Sequence, residues 1–355
     1  MSTQSQVHQN GSKNGTGRIR VGVIGAGKIG SHHARILSRM PEVELVGVCD
    51  SNLWRAQMVA WRFKSVAHRN YQDLLSQVQA VIVAVPTELH AEIGLAALDR
   101  EIHCLIEKPL ATSVEEAKSL LQASEQKRAV LQVGHVERFN PAVLEAVRHI
   151  KDPRFITVER LGPYDPRASS IGVVMDLMIH DLDILLTLID SEVESLEAIG
   201  ASLLSAHEDI ANVRLRFKSG CIADLTASRI SLEKSRKIRI FQKESYLSLD
   251  YVSAKLKICR KKNPVIKSLK DVEVLYPNLE KVEPLKAELA HFIQCIQQNI
   301  KPWPCAESGF LSLKLALKII EELQLHELSQ QDPKDPGLLT SLSSYFSGRP
   351  GAKEA

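Results

Sequence analysis

No stretch of the chain approaches the roughly 20 consecutive apolar residues that a membrane-crossing helix requires, so no membrane span is expected. Excess charge is missing as well: 45 Lys and Arg against 42 Asp and Glu leave a formal +3 over 355 residues. So small a surplus argues against a surface built for a phosphate backbone, and no nucleic-acid partner is expected. Cysteine is sparse and unpatterned. Cys49, Cys104, Cys221, Cys259, Cys295 and Cys305 form no C-x-x-C pair and no Cys/His spacing that suits zinc. They read as free, buried thiols of a reducing compartment, and no metal is expected. Residues 1–17 are rich in Gln, Ser, Asn and Gly around no apolar core, which is the pattern of a disordered tail rather than of a secretory signal. The expected location is the cytoplasm.

What the chain does contain is an ordinary globular composition, 44% apolar and 25% charged. Its length exceeds what one core normally organises, and two domains of roughly 150 residues each are expected. From Arg18, short apolar runs alternate with amphipathic stretches, the grammar of βα units around a parallel sheet. Ile19 to Ile24, Leu45 to Cys49, Ala80 to Val85, His103 to Ile106 and Ala129 to Val133 read as strands, with a short one at Ser65 to Ala67. Ser113-Val114-Glu115-Glu116 sets Ser and Glu at capping-box positions and predicts a helix to about Gln126. After Ile150, strand-like runs succeed one another: Phe155 to Leu161, Asn212 to Phe217, Cys221 to Ala227, Lys237 to Phe241, Tyr246 to Leu249 and Leu256 to Cys259. One helix, Val173 to Ile189, interrupts them, and two more, Pro284 to Asn299 and Glu307 to Leu328, follow. The fold class is therefore α/β: a Rossmann domain with a parallel sheet over 18–140, an α+β domain with a large open, mostly antiparallel sheet over 141–329, and a flexible tail over 330–355.

Gly25-Ala26-Gly27-Lys28-Ile29-Gly30 directly follows the first strand and opens a helix through His33 to Leu37. A lone G-x-G-x-x-G is weak, since glycines at this spacing also serve simple turns; between a strand and a helix it acquires its chemistry. Gly25 permits the sharp turn, Gly27 lets a pyrophosphate approach the backbone, and Gly30 lets helix and strand pack closely. The free N–H groups of the helix start then face the phosphates. Asp50 ends the second strand, where a carboxylate accepts from both adenosine ribose hydroxyls and favours NAD over NADP. It reads equally as a cap for a helix starting at Asn52, and nearby Arg55 leaves room for a 2′-phosphate, so NADP is not excluded.

Two further strand ends carry Ala84-Val85-Pro86-Thr87 with His90, and Ile106-Glu107-Lys108-Pro109. With the glycine motif they make the chain resemble the glucose-fructose oxidoreductase, inositol dehydrogenase and rhizopine catabolism family, written Gfo/Idh/MocA, over roughly Ile19 to Leu328. The resemblance implies that Thr87 and His90 line the nicotinamide-ribose region. It implies too that Glu107 belongs to the cofactor site and that Lys108, before a proline often preceded by a cis bond, stands between nicotinamide and substrate.

Asp176 and His180 lie four apart within the apolar stretch Val173 to Leu188. On a helix they would share a face, and a carboxylate beside an imidazole raises its basicity. Taken alone they read as a helix-capping carboxylate and a satisfied core histidine; in this family D-x-x-x-H at this place is the catalytic signature. The resemblance thus implies catalysis by Lys108, Asp176 and His180: His180 removes the hydroxyl proton, Lys108 steadies the same oxygen, and Asp176 orients substrate or His180.

Gly134-His135-Val136-Glu137-Arg138-Phe139-Asn140-Pro141 and the run Arg160 to Arg167 are most similar to the branch of bacterial UDP-N-acetylglucosamine 3-dehydrogenases. A nucleotide sugar brings a pyrophosphate that Arg138, Arg160 and Arg167 suit, while Asn140 suits sugar hydroxyls or an amide. Arg138 in an ion pair with Glu137 or another acid, and a solvated Arg167, are the rival structural readings. The functional alternatives are a free-polyol or sugar dehydrogenase of the inositol type and a non-catalytic NAD-binding sensor. Alternation in Val213 to Phe217 predicts a sheet with one open face, which the resemblance assigns to a homodimer or homotetramer contact. The basic runs Arg236 to Lys243 and Arg260-Lys261-Lys262 read as a soluble sheet edge.

Overall fold

A computed structural model describes residues 17–164 and 171–327. Both expected tails, Gly17 apart, lie outside the described residues. In the first half, strands β1 (Ile19–Ile24), β2 (Val43–Cys49), β3 (Val66–His68), β4 (Ala80–Val83), β5 (His103–Glu107) and β6 (Leu131–Gly134) alternate with helices. These are α1 (Lys28–Leu37), α2 (Leu53–Phe63), α3 (Tyr71–Leu75), α4 (His90–Leu98) and α5 (Val114–Lys127). The six strands pair in parallel in the order β3-β2-β1-β4-β5-β6. The order reverses between β1 and β4, the crevice where such sheets hold dinucleotides. Period-two side chains explain why both faces are covered: Val81 and Val83 of β4 join one apolar cluster, Ala80 and Ile82 the other. Ser113 caps α5 by accepting from the Glu116 amide at 3.2 Å, as its position predicts.

The chain then passes through α6 (Pro141–Val147) to β7 (Pro153–Leu161) and to α7 (Ile179–Leu188). A second sheet is completed by β8 (Val193–Ser202), β9 (Ile210–Phe217), β10 (Ile222–Ser228), β11 (Ser235–Gln242), β12 (Ser245–Asp250), β13 (Lys255–Lys261) and β14 (Val272–Leu275). Helices α8 (Pro284–Gln298) and α9 (Ala306–Glu322) and the strand β15 (Gln324–Glu327) close the described chain. The nine-stranded order is β14-β13-β12-β11-β7-β10-β9-β8-β15. Pairing is antiparallel except at β7·β10 and β8·β15. One face packs on α7 through Ile156, Val158, Ile179, Leu182, Ile238 and Ile240; the other is open, as alternation along β9 requires. No helix among the described residues is long and apolar enough to cross a membrane.

Some elements lie outside those read from the sequence. Val193–Ser202, whose Glu, Ala and Gly residues are poor strand formers, is not among the expected strands and is held as one by its ladder with β9. The last helix stops at Glu322, and the residues after it pair with β8 instead of continuing to Leu328. Helices α8 and α9 return to the parallel sheet: Leu289, Phe292 and Ile293 pack with Val21 and Val23, and Leu313 with Val133 and Leu120. The two sheets are thereby held as neighbours, and their junction carries the polar residues singled out above.

Candidate dinucleotide and catalytic site

The glycine turn fits a dinucleotide on its own geometry. Gly25 has φ +101°, and a Cβ there would lie 2.1 Å from the Ala84 carbonyl oxygen. At Gly30 a Cβ would meet the Gly25 oxygen at 1.7 Å, whereas at Gly27 it would meet nothing within 4 Å. Gly27 caps α1 without any side-chain acceptor, so no side chain answers the first amides of the helix, and the open space at Gly27 lets a phosphate approach them. Asp50 accepts from the Ala26 amide at 2.9 Å through one oxygen and from the Asn52 amide at 2.9 Å through the other. Each oxygen keeps a lone pair for a ribose hydroxyl. The helix cap is Asn52 rather than Asp50. Arg55 Nη1 stands 3.5 Å from the Asp50 carboxylate, exposed beyond it.

Across the crevice, Thr87 begins a single 3-10 turn, Thr87–Leu89, half-exposed at the end of β4. His90 is turned inward: it is 1% exposed, with Nδ1 2.8 Å from the Pro109 carbonyl and Nε2 3.0 Å from that of Val85. It braces the β4 and β5 loops against each other and offers a ligand no free nitrogen, which corrects the role in lining the nicotinamide ribose. Burial lowers its pKa further than its two carbonyl partners restore it. Glu107 is likewise engaged from below, accepting from His33 Nε2 of α1 at 2.7 Å. Burial opposes its charge, but His33, Lys108 and His90 hold the carboxyl below its usual range. The Lys108–Pro109 bond is cis.

Lys108 Nζ donates to the Asp176 backbone oxygen at 2.7 Å and to its carboxylate at 3.3 Å. Residues from the two sheets therefore meet at this ammonium, which keeps one donor free. Asp176 falls within a wide π-turn, Val174–Met178, that precedes α7. The extra width upsets four-residue spacing, and the carboxylate pairs with Lys108 and not with His180, so of the two expected roles for Asp176 it does not take that of orienting His180. His180 makes no hydrogen bond among the described residues, and its Nδ1 is fully buried. Burial first, then the charges of Lys108, Arg160, His135 and Arg236, drive its pKa well below the ordinary imidazole value. The ring is neutral, as a proton acceptor must be, but it is no stronger base for its neighbours.

Helix α7 is pinned by two bidentate pairs: the first bears out the reading of Arg138 in an ion pair with an acid other than Glu137, and the second was not anticipated from the sequence. Arg138 donates to both Asp183 oxygens at 2.6 Å, and Arg160 to those of Asp181 at 2.6 and 2.8 Å. Both arginines are buried, 3% and 2% exposed, so neither is a free guanidinium for pyrophosphate. Glu137 pairs with Arg160 at 3.3 Å and not with Arg138. Asn140 is also committed: it caps α6, accepting from Ala142 N at 3.1 Å, and is 4% exposed. Arg167 lies outside the described residues. Arg236, read above as part of a soluble edge, is instead partly buried and turned toward the junction. The acidic partners were visible as Asp181 and Asp183 beside His180, but no local spacing links them to arginines over 20 residues away.

Two family models match the chain. One, described as an oxidoreductase family with an NAD-binding Rossmann fold, matches residues 19–135; the other, the GFO/IDH/MocA C-terminal domain, matches residues 150–247. The chain is 35% identical over 303 residues to a UDP-N-acetylglucosamine 3-dehydrogenase of Acidithiobacillus ferrooxidans, covering 85% of this chain and 96% of that one. A solved structure of that enzyme superposes with a TM-score of 0.82 at 32% identity, over 86% of this chain and 97% of the other. A myo-inositol 2-dehydrogenase of Thermotoga maritima is 26% identical over 88% of this chain and 99% of its own.

Proposed function

Because the chain belongs to the Gfo/Idh/MocA oxidoreductase family, with an NAD-binding Rossmann domain, we propose that it oxidises the 3-hydroxyl of a nucleotide sugar such as UDP-N-acetylglucosamine to a ketone. The observation that carries the reading is the meeting of Lys108 with Asp176 beside a half-buried His180 whose Nδ1 is enclosed and unbonded and whose surroundings favour the neutral ring. Similarity to the Acidithiobacillus enzyme along nearly its whole length supports the substrate.

Bound at the glycine turn, with its adenosine ribose on Asp50, NAD supplies a hydride acceptor; the rest is the work of side chains. His180 takes the proton of the substrate hydroxyl as the carbon–hydrogen bond breaks. Lys108, with one donor uncommitted, hydrogen-bonds the same oxygen and stabilises its developing negative charge. Asp176 fixes the direction of the Lys108 ammonium, a positioning role rather than activation of His180. His33 and His90 act from beneath, holding Glu107 and the loop after Pro109 in place. We further assign the open face of the nine-stranded sheet to contact with a second copy of the chain, and the protein to the cytoplasm.

The test is a panel of UDP-sugars, free N-acetylglucosamine and inositols with NAD or NADP, read by the absorbance of reduced nicotinamide. A 2-oxoglutarate arm covers cofactor that stays bound and needs an in-place acceptor. Turnover of UDP-N-acetylglucosamine above every uncharged sugar is expected. Turnover of inositols alone would replace this reading with the polyol one, and cofactor binding with no turnover on any arm would make the protein a sensor.

A further inference from the structure

With Arg138 and Arg160 committed to α7, the substrate side of the junction needs another source of positive charge, and the strand register supplies one. Arg236 of β11 stands directly opposite Arg160 of β7. Arg160 shares its parity with buried Ile156 and Val158, and Arg236 with buried Ile238 and Ile240. Both side chains therefore leave the sheet on the face that α7 covers. Cβ atoms directly opposed in an antiparallel pair lie about 4.5–5.5 Å apart, and like charges so placed repel.

The two guanidiniums differ in what answers them. Arg160 is neutralised by Asp181 and by Glu137. Arg236 is partly withdrawn from water, yet its guanidinium makes no hydrogen bond and no ion pair among the described residues. Its neighbour across the ladder, Arg160, grips Asp181, the residue after His180, which places Arg236 at the catalytic end of α7. A half-buried cation beside another cation, with all its donors idle, is a costly arrangement unless an anion arrives to meet it.

We propose that Arg236 is the anion-binding residue of the substrate pocket, taking phosphoryl oxygens of the nucleotide sugar while its hydroxyl lies between Lys108 and His180. The assignment of the anion rests on the function proposed above. A sugar monophosphate or a uronate would present the same oxyanion chemistry, and the test separates these sources.

The full chain is prepared as wild type, R236A and R236K. With NAD present, inorganic pyrophosphate should raise the melting temperature of the wild type, with most of the rise lost in R236A and part retained in R236K. Charge-assisted hydrogen bonds are worth enough that R236A should raise KM for UDP-N-acetylglucosamine roughly tenfold to hundredfold. The accompanying loss in kcat/KM should exceed that for uncharged N-acetylglucosamine by at least about tenfold. N-acetylglucosamine 1-phosphate and glucuronate, added as competitors, show whether phosphate or carboxylate is preferred; preference for carboxylate over every phosphoryl ligand would overturn the phosphoryl assignment. Pyrophosphate binding needs no turnover, so a wild type inactive on nucleotide sugars would end the function proposal and the nucleotide-sugar assignment, while a pyrophosphate shift lost in R236A would still establish Arg236 as an anion-binding residue. Equal pyrophosphate shifts in wild type and R236A, or an R236A whose KM is unchanged while its melting temperature falls, would make Arg236 structural. Should R236A fail to fold, R236K carries the same comparison.

Discussion

Replacing Asp183 by alanine separates a structural Arg138 from a substrate-binding one. Arg138 and Asp183 are 3% and 1% exposed and joined by two hydrogen bonds of 2.6 Å. Removing the carboxylate strands a guanidinium where water does not reach, for which broken buried pairs typically lose about 3–5 kcal/mol. The guanidinium also lies over the Trp303 ring, 5.4 Å from its centroid, and this cation–π contact survives the mutation. A contact of that kind is worth about 0.5–2 kcal/mol, so the lower part of the range, near 3 kcal/mol, is the expected loss. For a domain of this size that corresponds to a fall of about 6–12 °C in melting temperature. The paired replacement R138M with D183L leaves no stranded charge and should melt at or above D183A by most of that difference. Thermal unfolding followed by circular dichroism without substrate measures all three proteins. A D183A chain melting within about a degree of wild type, together with an R138A chain that keeps its stability and loses only affinity for the nucleotide sugar, would refute the reasoning.

His180 is held neutral by burial and by the cations Lys108, Arg160 and Arg236, so its base form persists as pH falls through the ordinary imidazole value of about 6.5. The acid limb of kcat/KM should therefore lie below that pH, and a limb at or above it would show that another group governs. Lys108→Ala should lower kcat roughly 10²–10⁴-fold with NAD affinity retained in a binding titration, as loss of a group acting on the reacting oxygen requires. Asp50→Ala removes the ribose acceptor and frees Arg55, 3.5 Å away. It should weaken NAD roughly tenfold or more and narrow the NAD-over-NADP preference in steady-state kinetics, whereas an unchanged ratio would confine Asp50 to its turn. Glu288 is fully buried with both oxygens unpartnered, and burial, Glu107 and Asp183 raise its pKa well above the carboxylate range. The unfolded chain releases this proton above about pH 4.5 while the folded one retains it, so stability falls as pH rises. E288Q should gain on wild type in melting temperature between pH 5 and pH 8, and a pH-independent difference would exclude that titration.

The parallel sheet was legible because its strands are short apolar runs buried on both faces, and because Gly25, Gly27 and Gly30 sit where a strand must turn into a helix. These are local patterns. Lys108, Asp176 and His180 were found by motif, and the structure brings them to one junction. The pairing among them was not legible: a π-turn cannot be read from periodicity, and it carries Asp176 to Lys108 rather than to His180. Arg138, Arg160 and Asn140 look like ligands in sequence because residue type does not reveal burial. The acids that hold the two arginines come from elements far along the chain, whereas Asn140 before Pro141 was a legible cap signal that the ligand role obscured. The opposite error hid Arg236 in a basic run, since only the register of β11 on β7 shows that it shares the covered face with Arg160.

The distribution of partners on the catalytic segment bears on mechanism. Asp176 meets Lys108, Asp181 meets Arg160, and Asp183 meets Arg138, so three carboxylates are answered by three cations from three separate elements. The Asp181 and Asp183 pairs fix α7 and the Asp176 pair fixes the turn before it, and none of them engages the imidazole of His180. The His180 ring is left without a hydrogen bond among the described residues, and after burial the charge that bears on it most is that of Lys108. A carboxylate bound to His180 would raise its affinity for a proton but would also hold the ring's donor away from the substrate. Surrounding it with cations does the reverse: it keeps the ring neutral and unbonded and favours an anionic oxygen beside it. The substrate alkoxide, and not the protonated imidazole, is then what this environment stabilises most, which places the larger share of catalysis on Lys108 and makes His180 a proton exit. If so, H180A should cost markedly less in kcat than K108A and should recover in part with added imidazole, while K108A should not recover with added amine of similar size. Equal losses, or rescue of K108A alone, would reverse the assignment.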